Sequence, residues 1–274
     1  MKKRGIVLAV LVCALCMAGC ARETNPEPEE CKVEKEDVEE AAVISEEQEE
    51  AEEEKPVEEE TDEKNIIIAI DPGHQGWDID MSAQEPNAPG SDVMKAKATS
   101  GTAGKYSGVP EYQLNLDISL LLRARLEELG YDVIMTREDN ETAISNSERA
   151  ILANQAGADV SIRIHANGSE DPSVSGALAL ITSPNNPYTG GLYEESYRLA
   201  EQILDSYCRY TGFVNRGIQE NDTMTGINWS QIPVVILEMG FMSNENDDLQ
   251  MADEAFREKM VAGIVDGIEK YYGN

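Results

Sequence analysis

The chain has few basic residues, few cysteines and almost no histidine. Its 22 Lys and Arg stand against 53 Asp and Glu, and the formal net charge of −31 argues against nucleic acid or an anionic membrane surface as a partner. There are five cysteines, three of them in the first 20 residues, so no disulfide framework is expected. Only two histidines occur, His74 and His165, and this rarity makes their positions informative.

The first residues have the layout of an export signal. Lys2, Lys3 and Arg4 precede an apolar run that ends at Met17 and is too short to cross a membrane comfortably. The segment Met17-Ala18-Gly19-Cys20 resembles the lipobox of bacterial lipoproteins, although Met17 stands where Leu is usual. This resemblance implies a signal peptide over residues 1–19 and a lipid anchor at Cys20, on the outer face of the cell membrane. An ordinary signal peptide or an uncleaved anchor is the alternative.

Residues 20–64 are predicted to be an acidic, disordered linker. The segment 21–64 has 21 Asp and Glu against 5 Lys and Arg, and it contains no aromatic residue. Such a composition cannot bury enough apolar surface to offset the entropy of ordering, and the repulsion between like charges extends the chain. Residues 65–274 are predicted to form the folded domain, because they are numerous enough for one substantial core.

Within this domain, segments with strand character alternate with segments of helical periodicity. Strands are predicted at 65–70, 131–136, 159–164, 176–182 and 233–237, and helices at 111–129, 144–157, 193–207 and 249–272. This alternation predicts a three-layer α/β/α domain around a mostly parallel, twisted sheet. The intervening stretch 77–110 is rich in Gly, Ser, Pro and Asn and has no period, which predicts a long irregular loop of the kind that is usually functional or mobile.

The candidate chemistry lies where predicted strands end. His74, His165 and Glu238 each terminate a buried strand, so a parallel sheet would bring them to one edge, where Glu111 begins the first helix. Two imidazoles and a carboxylate are the usual ligands of a catalytic zinc, and a second carboxylate can shuttle protons. The alternatives are structural: satisfied polar histidines, a first-turn acid favoured by the helix dipole, and a hydrogen-bonded buried carboxylate. Asn115, one turn after Glu111, could support a ligand or be purely structural.

Four segments contain the candidate residues: Asp71-Pro72-Gly73-His74, Glu111 with Asn115, Ser161 to Asn167 (SIRIHAN), and Val235 to Asn244 (VILEMGFMSN). Together and in this order they resemble the successive motifs of the zinc-dependent N-acetylmuramoyl-L-alanine amidases of the amidase-3 family. The resemblance covers residues 65–272. It implies zinc bound by His74, Glu111 and His165, and a catalytic Glu238 that takes a proton from water and passes it to the leaving amine. The implied substrate is peptidoglycan, cut between N-acetylmuramic acid and the L-alanine of the stem peptide.

Two departures from the family pattern affect the cleft rather than the metal site. Gln75 stands where the family often has glycine, and the segment from His74 to Glu111 is longer than in compact members. A zinc carboxypeptidase is a weaker alternative, because those enzymes use a His-x-x-Glu pair and Trp77 occupies the third position after His74. A catalytically silent, wall-binding or regulatory lipoprotein with the same fold is the alternative from another functional class.

Overall fold

The computed structural model describes residues 64–273, which build a central sheet, a small hairpin and a set of helices. The strands are β1 (Ile67–Pro72), β2 (Gln84–Pro86), β3 (Met94–Ala96), β4 (Asp132–Met135), β5 (Val160–Asn167), β6 (Ala177–Ile181), β7 (Asn215–Glu220) and β8 (Val234–Phe241). The helices are α1 (Glu111–Glu128), α2 (Asn146–Gln155), α3 (Tyr193–Thr211), α4 (Thr225–Asn228), α5 (Glu245–Ala252) and α6 (Glu254–Tyr272). None of the helices in this described part combines the length and the apolar character needed to cross a membrane.

The six-stranded sheet has the order β4-β1-β5-β8-β6-β7. The first four strands in this order run parallel, β6 is antiparallel to β8, and β7 is parallel to β6. The prediction of a mostly parallel sheet between layers of helices is therefore confirmed. The parallel part of the sheet requires crossover connections, and these are supplied by the helices that the sequence alternates with the strands.

Strand alternation divides the side chains between two faces of the sheet. On β5, Ile162 and Ile164 enter the large core beneath α1, α3 and α6, whereas Arg163 and His165 have the opposite parity. The other face is covered more thinly, by α2 near Ala69 and by α4, whose Ile227 packs beside Ile236. The polar side chains Arg163 and His165 of β5 therefore point to the face that α2 and α4 cover, where fewer apolar residues pack.

The stretch 77–110 is more ordered than its composition predicts, because it contains the hairpin of β2 and β3. Tertiary hydrogen bonds hold this hairpin: the Trp229 indole donates to the Pro86 carbonyl over 2.9 Å, and Thr225 Oγ1 donates to Asn87 Oδ1 over 3.0 Å. Glu85 accepts hydrogen bonds from the backbone and the hydroxyl of Ser147 at the start of α2. Strands of three residues show no sequence period, so they could not be recognised in advance.

Helix α2 turns a different face to the interior than its sequence predicts. The periodicity of 144–157 predicts an apolar stripe of Ile144, Ile151 and Leu152, but these residues are only half-buried. Arg149 is buried instead, together with Ala150 and Ala153, among others. Arg149 is buried because its guanidinium group donates hydrogen bonds to the Asp71 carboxylate and to the backbone carbonyls of Pro72 and His74. The predicted C-terminal helix is likewise two helices, because Asp253 ends α5 and caps α6 by accepting a hydrogen bond from the Phe256 amide.

Candidate active site

The central strands align the predicted residues side by side. In the registers of the sheet, Asp71 of β1 is opposite Arg163 of β5, and His165 of β5 is opposite Glu238 of β8. His165 and Glu238 lie inside their strands and not at their ends, because β5 continues to Asn167 and β8 to Phe241. Adjacent strands are about 4.8 Å apart, so these paired residues on one face are direct neighbours.

The turn after β1 places His74 in an unusual backbone conformation. His74 has φ 63°, in the left-handed region that few residues other than glycine adopt, and such strain must be balanced by surrounding contacts. Two buried arginines supply them: Arg149 donates to the carbonyls of Pro72 and His74, and Arg137 donates to those of Pro72 and Gly73. A planar guanidinium group can donate hydrogen bonds to several carbonyls at once, so the two arginines stabilise the conformation of the turn.

A buried ion-pair network anchors this support. The Asp71 carboxylate accepts from Arg149 Nη1 through Oδ1 and from Arg163 Nε through Oδ2, each over 2.6 Å. Burial alone would favour the protonated carboxyl, but the two guanidinium groups outweigh it and hold the pKa of Asp71 far below its usual range. Gln75, the departure from the family pattern, is buried and accepts a hydrogen bond from Arg149. Sequence reasoning missed this network, because arginines are usually solvated.

Three of the predicted residues form a compact cluster. His74 Nε2 lies 3.0 Å from Glu111 Oε1, His165 Nδ1 lies 3.4 Å from the same oxygen, and the potential ligand atoms of all three residues lie within 4.8 Å of one another. The His165 ring lies directly over Gly73, where an added Cβ would come within 2.2 Å of it. Glycine is therefore required at position 73 by this close approach.

The orientations of His74 and Glu111 are set by their other hydrogen bonds. His74 Nδ1 is 2.8 Å from the Thr99 carbonyl, which can only accept, so Nδ1 carries a proton and Nε2 faces Glu111. Glu111 Oε2 accepts from the Thr102 amide over 2.9 Å, and Asn115 donates to Oε1 over 3.4 Å. Asn115 also donates to the Gly73 carbonyl, so it links Glu111 to the histidine turn.

The pKa values separate the two glutamates. Although burial opposes it, hydrogen bonding to His165 and His74 lowers the pKa of Glu111 below its usual value. Burial and the negative charge of Glu111 together raise the pKa of Glu238 to about 8, while Arg163 acts weakly in the opposite direction. Burial lowers the pKa of His165 to about 4, which keeps its imidazole neutral. Glu111 and His165 are therefore in the protonation states that a metal ligand needs.

The cluster fits a divalent metal ion. An imidazole lone pair and a carboxylate oxygen 3.0 Å apart are both acceptors, so a cation or a shared proton must lie between them. His165 Nε2 and Glu238 Oε2 are buried and have no hydrogen-bond partner within the described residues. Two nitrogens and one oxygen are the ligand types that zinc prefers at catalytic sites. Such a cluster beside a buried carboxyl group is the type of site that metal-dependent hydrolases use.

These residues line a cleft of about 580 Å³, a size typical of small-ligand sites. His74, Glu111, His165 and Glu238 form one part of its lining. The other part comes from residues that sequence reasoning did not select, namely Lys95 and Ala96 of the hairpin, Thr99, Asn146, Arg163, and Met224 to Gly226 near α4. The hairpin lies in the stretch 77–110, which the sequence marked only as a long loop, and α4 belongs to a segment without a chemical motif, so their individual residues were not selected.

Comparisons with known proteins show the family of this chain. A family model described as Amidase_3, N-acetylmuramoyl-L-alanine amidase, matches residues 68–270. Because the match spans most of the chain, the protein belongs to this family of peptidoglycan amidases, and the resemblance of the four motifs is confirmed at that level.

Particular relatives cover the same domain. The N-acetylmuramoyl-L-alanine amidase Rv3717 of Mycobacterium tuberculosis is 28% identical over 207 residues, which are 74% of this chain and 85% of that protein. The amidase LytC of Bacillus subtilis is 30% identical over 175 residues, which are 63% of this chain but only 33% of LytC. The crystal structure of the amidase Ami1 from Mycobacterium smegmatis superposes with a TM-score of 0.69 and 29% identity, covering 76% of this chain and 97% of Ami1.

Proposed function

We propose that the protein is a zinc-dependent N-acetylmuramoyl-L-alanine amidase that hydrolyses the amide between N-acetylmuramic acid and the L-alanine of the stem peptide. The observation that carries the proposal is that two carboxyl groups in one cleft have pKa values shifted in opposite directions. Glu111 is ionised and lies between the imidazoles of His74 and His165, whereas the pKa of Glu238 is raised to about 8. One carboxylate is thereby suited to hold a cation, and the other to exchange a proton.

In this proposal His74, Glu111 and His165 hold zinc. Zinc at such a site supplies a water of lowered pKa and a Lewis acid for the scissile carbonyl. Asn115, Thr102 and Thr99 keep the ligands oriented through the hydrogen bonds described above, as groups around metal ligands commonly do.

Glu238 is assigned the proton transfers. Its buried position favours the protonated form and a nearby cation favours the ionised form, so the two influences bring its pKa toward neutrality. A group with a pKa near the working pH can both accept a proton from the attacking water and donate one to the leaving L-alanine amine.

The roles of the two glutamates are tested by separating metal binding from turnover. Glu238→Gln keeps the size of the side chain but cannot accept a proton, so it should retain zinc while turnover falls by roughly 10²- to 10⁴-fold. Glu111→Ala should lose zinc, because one of three ligands is removed. Zinc is measured by elemental analysis after dialysis, and cleavage by the appearance of free L-alanine amino termini in digested peptidoglycan.

Glu127→Ala is the matched control, because Glu127 is exposed on the same helix as Glu111. This variant should keep both zinc and activity. If Glu238→Gln lost its zinc while Glu111→Ala kept a full equivalent, the assigned roles would be reversed. A wild-type protein that binds no zinc and releases no new amino termini would instead support the catalytically silent, wall-binding alternative.

We also propose that the protein is exported and anchored by a lipid on Cys20, which lies outside the described residues together with the predicted signal peptide and most of the predicted linker. The support is the small-residue segment before Cys20. Cys20→Ala should release the protein into the medium or leave its precursor uncleaved, as seen by fractionation and by the mass of the N-terminal peptide. Wild-type protein found wholly in the medium, with its N-terminus at another residue, would refute the anchor.

A further inference from the structure

Lys95 is a cation in the catalytic cleft that the proposed mechanism does not use. It lies on β3 of the hairpin, and it lines the cleft that also contains His74, His165 and Glu238. Its ammonium group donates to the backbone carbonyl of Thr223, in the loop before α4. An ammonium has three hydrogens, so this bond leaves donors for another acceptor.

Lys95 differs from Arg163, the other cation of the cleft, in forming no salt bridge within the described residues: Glu85 is its cross-strand neighbour in the hairpin, but the Glu85 carboxylate accepts hydrogen bonds from Ser147. Arg163 is bound to the Asp71 carboxylate over 2.6 Å and to Asn146 over 2.8 Å, so its charge belongs to the buried network. Among residues 64–273, no acidic side chain forms a salt bridge with Lys95. A lysine that lines the cleft without a salt bridge to these residues has donors available for an anionic group of a ligand.

The hairpin fixes Lys95 in place before any ligand binds. The bonds from Trp229 to Pro86, from Thr225 to Asn87 and from Ser147 to Glu85 join it to two separate parts of the domain. In addition, the Asn146 amide donates to the Lys97 carbonyl over 2.7 Å, just beyond β3. A cation held by a rigid support binds its partner at a smaller entropic cost than one on a mobile loop.

We propose that Lys95 binds a carboxylate of the stem peptide and so selects substrates by the charge of the peptide near the scissile bond. The inference rests on the proposed function. The muramoyl side of the scissile amide is uncharged, so the negative charge of the substrate lies on the peptide side. The first available carboxylate is the α-carboxyl of a γ-linked D-glutamate at the second position, about two residue lengths or roughly 7 Å from the scissile amide. A cleft of about 580 Å³ can enclose that portion.

The test compares two synthetic N-acetylmuramoyl tripeptides that differ in one group. One has γ-linked D-glutamate with a free α-carboxyl at the second position, and the other has the α-amide, D-isoglutamine. Lys95→Gln keeps a donor for the Thr223 carbonyl but removes the charge. For the acidic substrate, kcat/KM should fall about 10- to 100-fold, mainly through KM, which is the range expected for losing a hydrogen bond to a charged group. For the amidated substrate it should fall less than about threefold.

Two further variants separate charge from structure. Lys95→Arg should restore the preference for the acidic substrate, because it restores the positive charge. Lys97→Gln is the matched control: Lys97 follows the same strand but does not line the cleft, so both substrates should be cleaved as by the wild type.

The outcomes distinguish this inference from the proposed function. If Lys95→Gln lost the same factor on both substrates, Lys95 would only hold the hairpin and the inference would be overturned. A wild-type enzyme that prefers the amidated substrate would overturn it as well. If the zinc-loaded wild type cleaved neither tripeptide and no peptidoglycan, the proposed function itself would fail.

Discussion

Glu238→Gln should stabilise the metal-free protein, and the gain should grow with pH. Glu238 is buried, its Oε2 has no partner within the described residues, and its pKa rises from the ordinary 4.5 to about 8 through burial and the charge of Glu111. Between these two values the folded protein keeps a proton that the unfolded chain releases. Stability is therefore lost as the pH rises from 4.5 to 8, and a glutamine, which never ionises, avoids this loss.

The size of the effect follows from the shift. Each pKa unit corresponds to about 1.4 kcal/mol, so the loss is below about 1 kcal/mol at pH 5 and about 3 kcal/mol at pH 7. The free energy of unfolding of both proteins would be measured by urea denaturation in the presence of a chelator, at pH 5, 6, 7 and 8. The variant should exceed the wild type by these amounts at pH 5 and pH 7 while being inactive, a trade of stability for function that active sites commonly show.

A control and a contrary result complete this test. Glu141→Gln changes an exposed glutamate and should alter the free energy of unfolding by less than about 0.5 kcal/mol at every pH. A stability difference between wild type and Glu238→Gln that did not change with pH would show that Glu238 is not desolvated as described. A less stable variant at pH 8 would refute the reasoning outright.

Three other predictions concern the surroundings of the site. Gly73→Ala should weaken zinc binding at least about tenfold in a competition titration, because the methyl group would lie 2.2 Å from the His165 ring. Gly191→Ala is the control and should leave the affinity unchanged, because its added Cβ meets open space. Unaltered affinity in Gly73→Ala would contradict the close approach. Asp71→Asn should cost about 3–5 kcal/mol of unfolding free energy at pH 7, because it leaves Arg149 and Arg163 buried without their carboxylate. Since the pKa of Asp71 is lowered, this contribution is present above about pH 4 and disappears as the pH falls further, so an equal cost at pH 3 and pH 7 would be inconsistent with it. Deletion of residues 22–63 should leave the urea midpoint of the domain unchanged. The shortened protein retains Lys64, which pairs with Glu269 over 2.6 Å and lies over the Tyr131 ring. A lower midpoint would mean that the deleted segment stabilises the domain.

The sequence by itself indicated the longer alternating strands and helices, although not β2, β3, β7 or α4, and it indicated the residues that cluster. Ile-rich runs are readable as buried strands and the leucine spacing of 111–129 as a helix, because both patterns depend on burial at a local period. Strand-end histidines could be assigned to one edge since parallel strands all end there. Period alone does not show where a strand stops, which is why β5 and β8 were predicted to end before His165 and Glu238.

Only the tertiary structure decided what surrounds those residues. The pKa of Glu238 depends on how completely neighbouring elements exclude water and on the distance to Glu111, and neither is encoded in local sequence. Arg149 is buried because Asp71 lies beneath it, 78 positions earlier in the chain. Lys95 enters the cleft because a hairpin without a local signal is held by side chains near α2 and α4. Long-range pairing joins residues that no short window contains, so the chemistry of this cleft is set by the packing of distant segments.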